Sequence, residues 1–214
     1  MRQLWSAIVG VALVLSATNA QADVVMLTAE AAGSYTTVGN AEFFSSATTL
    51  VANVNGFVSS SYVIFDVGTI GDNVVSLDFA GNSGDQAGRN DDVEIEFNAF
   101  IGSIADLTNG TLNISELENA RDYGSFSAAG DLGDDTPFSL SLNTNAIEDI
   151  NASGGLFVIT ATQPLATNTS GFIGDVTAAE FTLTVTTAVP EPSSFAALAL
   201  ASTVLMVRRR RRAI

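Results

Sequence analysis

The 214-residue sequence contains no cysteine, no histidine and no lysine. Without cysteine there are no disulfides, so any core must hold by packing alone. Without histidine the one side chain that titrates near neutrality is missing, and with it most serine and cysteine triads and most zinc sites. Without lysine, Schiff-base and Ser-Lys chemistry are excluded. Basic charge is nearly confined to the ends, at Arg2 and Arg208 to Arg212. Only Arg89 and Arg121 stand among the 23 acidic residues that run from Asp23 to Glu191, which gives that segment a formal charge of −21. Such a field repels nucleic acid, whose phosphates need Lys or Arg, and attracts divalent cations or basic surfaces.

The first residues carry a short basic start, an apolar run from Leu4 to Leu15 broken by Ser6 and Gly10, and then Ala20-Gln21-Ala22. That run is too short to span a bilayer, and a small-x-small triplet after it is a signal-peptidase site. Residues 1–22 are therefore expected to be a signal peptide cut after Ala22, with Ala20 and Ala22 as the recognition residues. The last residues read Pro190-Glu191-Pro192, an apolar stretch from Phe195 to Val207, and Arg208, Arg209, Arg210, Arg211 and Arg212. Ser193, Ser194 and the snorkelling arginines extend the stretch towards the roughly 20 residues of a spanning helix, expected at about 194–207. Consecutive arginines resist translocation and hold their side in the cytoplasm. Residues 23–189 remain as one domain of ordinary size, with 190–214 as the tail.

This tail resembles the PEP-CTERM protein-sorting signal of Gram-negative bacteria, residue by residue: Pro190, Glu191 and Pro192, the apolar helix after them, and the terminal arginines. The resemblance covers about the last 26 residues. It implies recognition and cutting by a membrane-embedded exosortase, in bacteria that make exopolysaccharide and biofilm matrix. It concerns destination and does not describe the body.

In the body, short runs rich in Val, Phe, Thr and Ile are separated by Gly, Asn and Asp. Strands are expected at Val24-Thr28, Thr48-Asn53, Tyr62-Val67, Val74-Phe79, Val93-Ala99, Phe138-Leu142, Leu156-Thr160 and Glu180-Thr186. In Val93-Ala99, Ile95 and Phe97 alternate with Glu94 and Glu96; in Glu180-Thr186, Phe181, Leu183 and Val185 alternate with threonines. Period-two alternation marks antiparallel strands with one wet face. Helical signals are limited to two short turns, one opening at Asn145 with Glu148 in capping-box spacing and one at Ser115 with Glu118. The expected class is all-β, an antiparallel β-sandwich of jelly-roll type. The run Tyr62 to Val67 with Gly68, Ile70 and Gly71, the segment Ser139 to Asn143, the turn Ala146 to Asn151 and the run Gly154 to Phe157 are similar to a recurring all-β passenger of bacterial cell-surface proteins. In outline that likeness implies a carbohydrate-binding type of jelly roll.

Three groups of residues are candidate sites. Asp91, Asp92 and Glu94, with Glu96 beyond them, form the densest acidic patch; Asp131, Asp134 and Asp135 form a second. Carboxylates in Gly- and Asn-rich loops suit calcium, though neither patch has the EF-hand spacing, and ordinary acidic turns have the same composition. Glu94 and Glu96 on one face of a strand would sit roughly 7 Å apart, a spacing open to glycosidase chemistry, but a solvated sheet face is the simpler account. Tyr123, in Arg121-Asp122-Tyr123-Gly124, is expected in an exposed loop where its ring could contact a ligand such as a sugar. Four Asn-x-Ser/Thr triplets, beginning at Asn109, Asn113, Asn151 and Asn168, match a glycosylation pattern that arises by chance in so Ser/Thr-rich a chain.

The expected function is that of a non-enzymatic exported protein of the cell surface or extracellular matrix. It would be a membrane-anchored precursor first, with signal peptidase and an exosortase as processing partners. A carbohydrate-binding module contacting exopolysaccharide is the alternative, and a secreted carboxylate-dependent glycosidase a more distant one. No cofactor is expected beyond calcium in the acidic loops, and no nucleic-acid partner.

Overall fold

The computed structural model describes residues 22–46, 49–54, 57–70, 73–82, 93–118, 120–128, 137–163, 173–174 and 178–188. The chain divides into two units. One is the body, Val24–Thr187; the other comprises Met1–Asp23 and Ala188–Ile214, of which only Ala22, Asp23 and Ala188 are described. The expected tail helix at about 194–207 and Ala20 of the signal site lie outside the described residues. Among those described, no helix is long and apolar enough to cross a membrane.

The body opens with strands Val24–Thr28 (β1), Ala31–Val38 (β2), Ala41–Ser45 (β3), Thr49–Leu50 (β4), Ala52–Val54 (β5), Phe57–Asp66 (β6), Val74–Asn82 (β7) and Val93–Ala99 (β8). Two short helices follow, Ile104–Asn109 (α1) and Ser115–Glu118 (α2), then Asp122–Ala128 (β9) and Pro137–Ser141 (β10). Helix Thr144–Ser153 (α3), Leu156–Thr162 (β11), Ile173–Gly174 (β12), a 3-10 turn at Ala178–Glu180 and Thr182–Thr187 (β13) complete it. One sheet has the order β1-β13-β7-β10 and a larger one β3-β2-β6-β11-β8-β9, with β5 also on β6 and a separate β12-β4 pair. All pairings are antiparallel. The class read from alternation is thus found as two antiparallel sheets with few helices. The run expected as one strand over Thr48-Asn53 is instead β4 and β5, parted at Val51, whose side chain is buried in the core.

The alternating apolar residues of both sheets meet in one core, and its centre is aromatic. Phe79 of the smaller sheet stacks on Phe181 at 5.7 Å and meets Phe97 and Phe65 of the larger sheet edge-on, at 5.3 and 6.2 Å. Burial of such rings is the main term holding sheets together when no disulfide helps. The larger sheet is covered on its other face too. Leu107 of α1, Leu112 of the connection after it and Leu117 of α2 pack on Tyr35, Tyr62, Ile64 and Val158, and the Tyr35 hydroxyl donates to the Leu107 carbonyl at 2.6 Å. This is why the second half of β6, Tyr62 to Phe65, reads as a continuous apolar run rather than an alternating one.

Helix α3 exceeds the short turn expected from sequence, and its cap lies earlier. Asn143, extended at φ −78° and ψ −177°, accepts from the Asn145 amide, so Asn143 and not Asn145 opens the helix. Ala146 and Ile150 turn inward to the shared core. Asn151 fixes the helix to β7 through a pair of bonds, accepting from the Val74 amide at 2.9 Å and donating to the Val74 carbonyl at 3.1 Å.

Candidate functional site

At the start of β9 the pairing with β8 slips. Phe97 faces Gly124 while the next residue, Asn98, faces Asp122. Tyr123 is therefore the extra residue of a β-bulge, a device that re-aims a side chain. Gly124 takes φ +134°, which an L side chain would resist. The bulge turns Tyr123 inward, where its ring stacks on Phe157 at 5.6 Å. The expectation of an exposed loop is thereby corrected: Tyr123 lies on a strand and is 2% exposed. The sequence could not show this, because the bulge breaks the alternation by which strands are recognised.

The Tyr123 hydroxyl donates to Asp149 Oδ2 at 3.0 Å. Arg121 donates through Nη1 to Asp149 Oδ1 at 2.8 Å and through Nη2 to Glu148. The bulge itself is held from the α3 side: Asn143 and Asn145 both donate to the Asp122 carbonyl, at 3.1 and 2.8 Å, and the Asn143 amide donates to the Tyr123 carbonyl at 2.9 Å. Burial first, and then the Asp149 bond, push the Tyr123 phenol well above its ordinary range, so it remains a donor. The Glu148 bond, more than the others, strengthens the positive charge on Arg121. Beside this cluster opens a cleft of about 310 Å³, lined by Phe100, Ile101, Gly102, Ser153, Leu156 and Phe157 among others. Its walls are mostly apolar, and Arg121, Tyr123 and Asp149 supply its polar end. Arg121 carried a sequence signal as one of two cations in an acidic body; nothing local tied it to Glu148 and Asp149, which lie 27 and 28 residues away.

The acidic candidates separate differently. Glu94 is exposed on β8, opposite Ser127, and Glu96 is half-buried opposite Ser125. Burial, then the charges of Glu94 and Asp122, raise the Glu96 carboxyl above its ordinary value. Among the described residues no three carboxylates gather to hold a metal ion. Asp91, Asp92, Asp131, Asp134 and Asp135 lie outside the described residues, as do Pro190, Glu191, Pro192 and Arg208 to Arg212; Ala22 is the first described residue.

No curated protein matches the chain. Its C-terminus does match a family, over residues 188–212, by the description PEP-CTERM protein-sorting motif. The match begins at Ala188, directly after the last strand ends at Thr187. That motif supports an exported, exosortase-targeted protein bound for the cell surface, and the chain is one that carries the PEP-CTERM protein-sorting motif at its C-terminus.

Proposed function

We propose that the chain is a non-enzymatic surface or matrix protein, a sandwich-type β passenger delivered by a signal peptide over residues 1–22 and processed by an exosortase at its tail. The observation that carries this is the boundary: the sorting motif at 188–212 starts where the body's last strand stops. A passenger followed by a removable address has this arrangement. The body's composition supports the absence of catalysis, since the side chains of the commonest triads are missing. Glu191 stands between Pro190 and Pro192, which lack the amide hydrogen a regular helix needs, directly ahead of the apolar segment in sequence. In a host that contains an exosortase, Glu191→Ala should leave insertion intact and let full-length protein accumulate in the membrane fraction. Replacing Arg208 to Arg212 by neutral residues should release the chain uncut. Intact mass and fractionation read both; variants that behave as the parent would show the tail to be only an anchor.

A second reading, that the body binds carbohydrate, is favoured by the cleft at Arg121 and Asp149, where apolar walls meet a compact set of donors and acceptors.

A further inference from the structure

We propose that the cleft between the bulged start of β9, the end of β8 and the C-terminal half of α3 binds one neutral sugar ring. This deepens the carbohydrate reading and is independent of the sorting assignment, which is tested by processing. The volume, about 310 Å³, lies at the lower end of ligand pockets, which run from about 300 to 1,000 Å³, and so has room for a ring rather than a long chain.

The polar end of the cleft has hydrogen-bonding capacity to spare. Arg121 carries five N–H donors in a planar fork, and the Asp149 and Glu148 bonds occupy one on each terminal nitrogen. Each Asp149 oxygen accepts one bond, from Arg121 on Oδ1 and from Tyr123 on Oδ2, which leaves a second lone pair on each. Donors and acceptors thus sit side by side on groups whose positions are already fixed by their bonds to each other. Adjacent hydroxyls, each both donor and acceptor, complement such an array. The apolar lining is open: Ile101 is 79% exposed and Leu156 40% exposed, and Phe100 lines the same cleft. An isolated exposed apolar residue means little, but two of them lining one cleft with a fixed polar array suit the C–H face of a sugar.

The charge of the ligand follows from its neighbours. Glu148 and Asp149 outnumber Arg121, so a carboxylated or phosphorylated sugar would meet net repulsion. An ammonium group is drawn by that net charge but can only donate, so it offers no acceptor to the spare N–H groups of Arg121 and would stand beside its cation. A neutral ring meets neither penalty.

The test uses the full-length chain in a detergent that is not itself a glycoside. It is titrated with the methyl glycosides of glucose, galactose and mannose and followed by amide chemical shifts, with glucuronate and glucosamine run alongside. At least one neutral glycoside should move the amides of Ile101, Gly102 and Leu156, with a dissociation constant on the order of 1 mM, and both charged sugars should bind more weakly. Ile101→Glu, at a residue too exposed to endanger folding, should weaken binding at least about tenfold. Arg121→Lys, which keeps the charge and gives up the fork, should do the same with its far-UV circular dichroism unchanged; if that variant unfolds, Ile101→Glu decides. The proposal is overturned if no neutral glycoside moves those amides, which would leave Arg121 as a clamp between β9 and α3. Shifts that fall elsewhere, insensitivity to Ile101→Glu, or binding of glucosamine alone would overturn it equally.

Discussion

Phe79 is where the body should be easiest to break. It is 1% exposed on β7 and meets four other rings, Phe65, Phe97, Phe138 and Phe181, at centroid distances of 6.2, 5.3, 5.8 and 5.7 Å. Two of those rings belong to the larger sheet, so Phe79→Ala removes contact within one sheet and between both. A small cavity of about 30 Å³ already lies beside it, so the space left by the ring adds to an existing void instead of collapsing. Burial of a ring of about 150–200 Å² at roughly 25 cal/mol/Å² gives about 4–5 kcal/mol, in line with the roughly 3–5 kcal/mol of buried Phe→Ala changes. For a body of this size each kcal/mol moves Tm by about 2–4 °C, so a fall of roughly 8–20 °C is expected. Phe79→Leu, which keeps most of the volume, should lose under about 1.5 kcal/mol. Phe43→Ala supplies the control, since that ring is 57% exposed on β3 and should stay within about 0.5 kcal/mol of the parent. Thermal melts by far-UV circular dichroism read all three. Were Phe79→Ala to cost less than about 1 kcal/mol, or no more than Phe43→Ala, the two sheets would not be joined through this cluster.

Burial pushes the Tyr62 phenol up to about 12, and Tyr35 and Tyr123 are raised by burial as well. A raised folded value means stability that is complete below the unfolded value near 10 and is lost as pH climbs through the folded range; tyrosinate absorbance and ellipticity should change together between about pH 10 and 12, and ionisation near pH 10 with the fold intact would refute the burial. Glu96 follows the same sign at lower pH: its raised value means folding disfavours the charged form, so Glu96→Gln should raise Tm slightly at neutral pH and not at all once the pH is below the carboxyl range, where both forms are uncharged. A gain that persists at low pH would point to packing instead. Gly33→Ala should lose on the order of 2 kcal/mol, because the added carbon would stand 2.4 Å from the Ser45 carbonyl oxygen and 2.6 Å from the Tyr62 hydroxyl, and a backbone oxygen cannot step aside; an unchanged urea midpoint would contradict that contact.

The sequence made visible those strands whose inner face is apolar and whose outer face is wet. Val24–Thr28 and Val93–Ala99 are found with the expected bounds, the second marked by its alternation, and β7, β10, β11 and β13 with bounds shifted by one to three residues. The hairpin of β2 and β3 was illegible for a steric reason. Gly33 is small because the Ser45 carbonyl and the Tyr62 hydroxyl stand where a side chain would begin, and its neighbours Ala32 and Ser34, though buried, are too small or polar to mark an apolar face. The strand β9 was hidden by its bulge. The cap of α3 was read two residues late because Asn143 and Asn145 are both good cap residues; both side-chain amides donate to the distant Asp122 carbonyl, and it is Asn143 Oδ1 that takes the Asn145 backbone amide at 2.9 Å. The cleft was illegible for the same reason on a larger scale, since residues near 100, 121, 149 and 156 meet only after the sheet forms.

The register of the smaller sheet links the fold to the sorting tail. The first strand pairs with the last, Val24 opposite Thr186 and Thr28 opposite Thr182, so the body begins and ends on neighbouring strands at one end of that sheet. A signal-peptide cut after Ala22 would fall one residue short of β1, and the matched motif starts one residue past β13. The expected signal peptide and the matched motif would thus flank this strand pair, and removal of either would leave its ladder intact. The acidic segments 83–92 and 129–136 connect where Asn82 faces Pro137, while Thr186 faces Ser76 six residues earlier on β7, roughly 20 Å along the strand. The edge strand β1 and its neighbour β13 thus hold both ends of the body in one ladder.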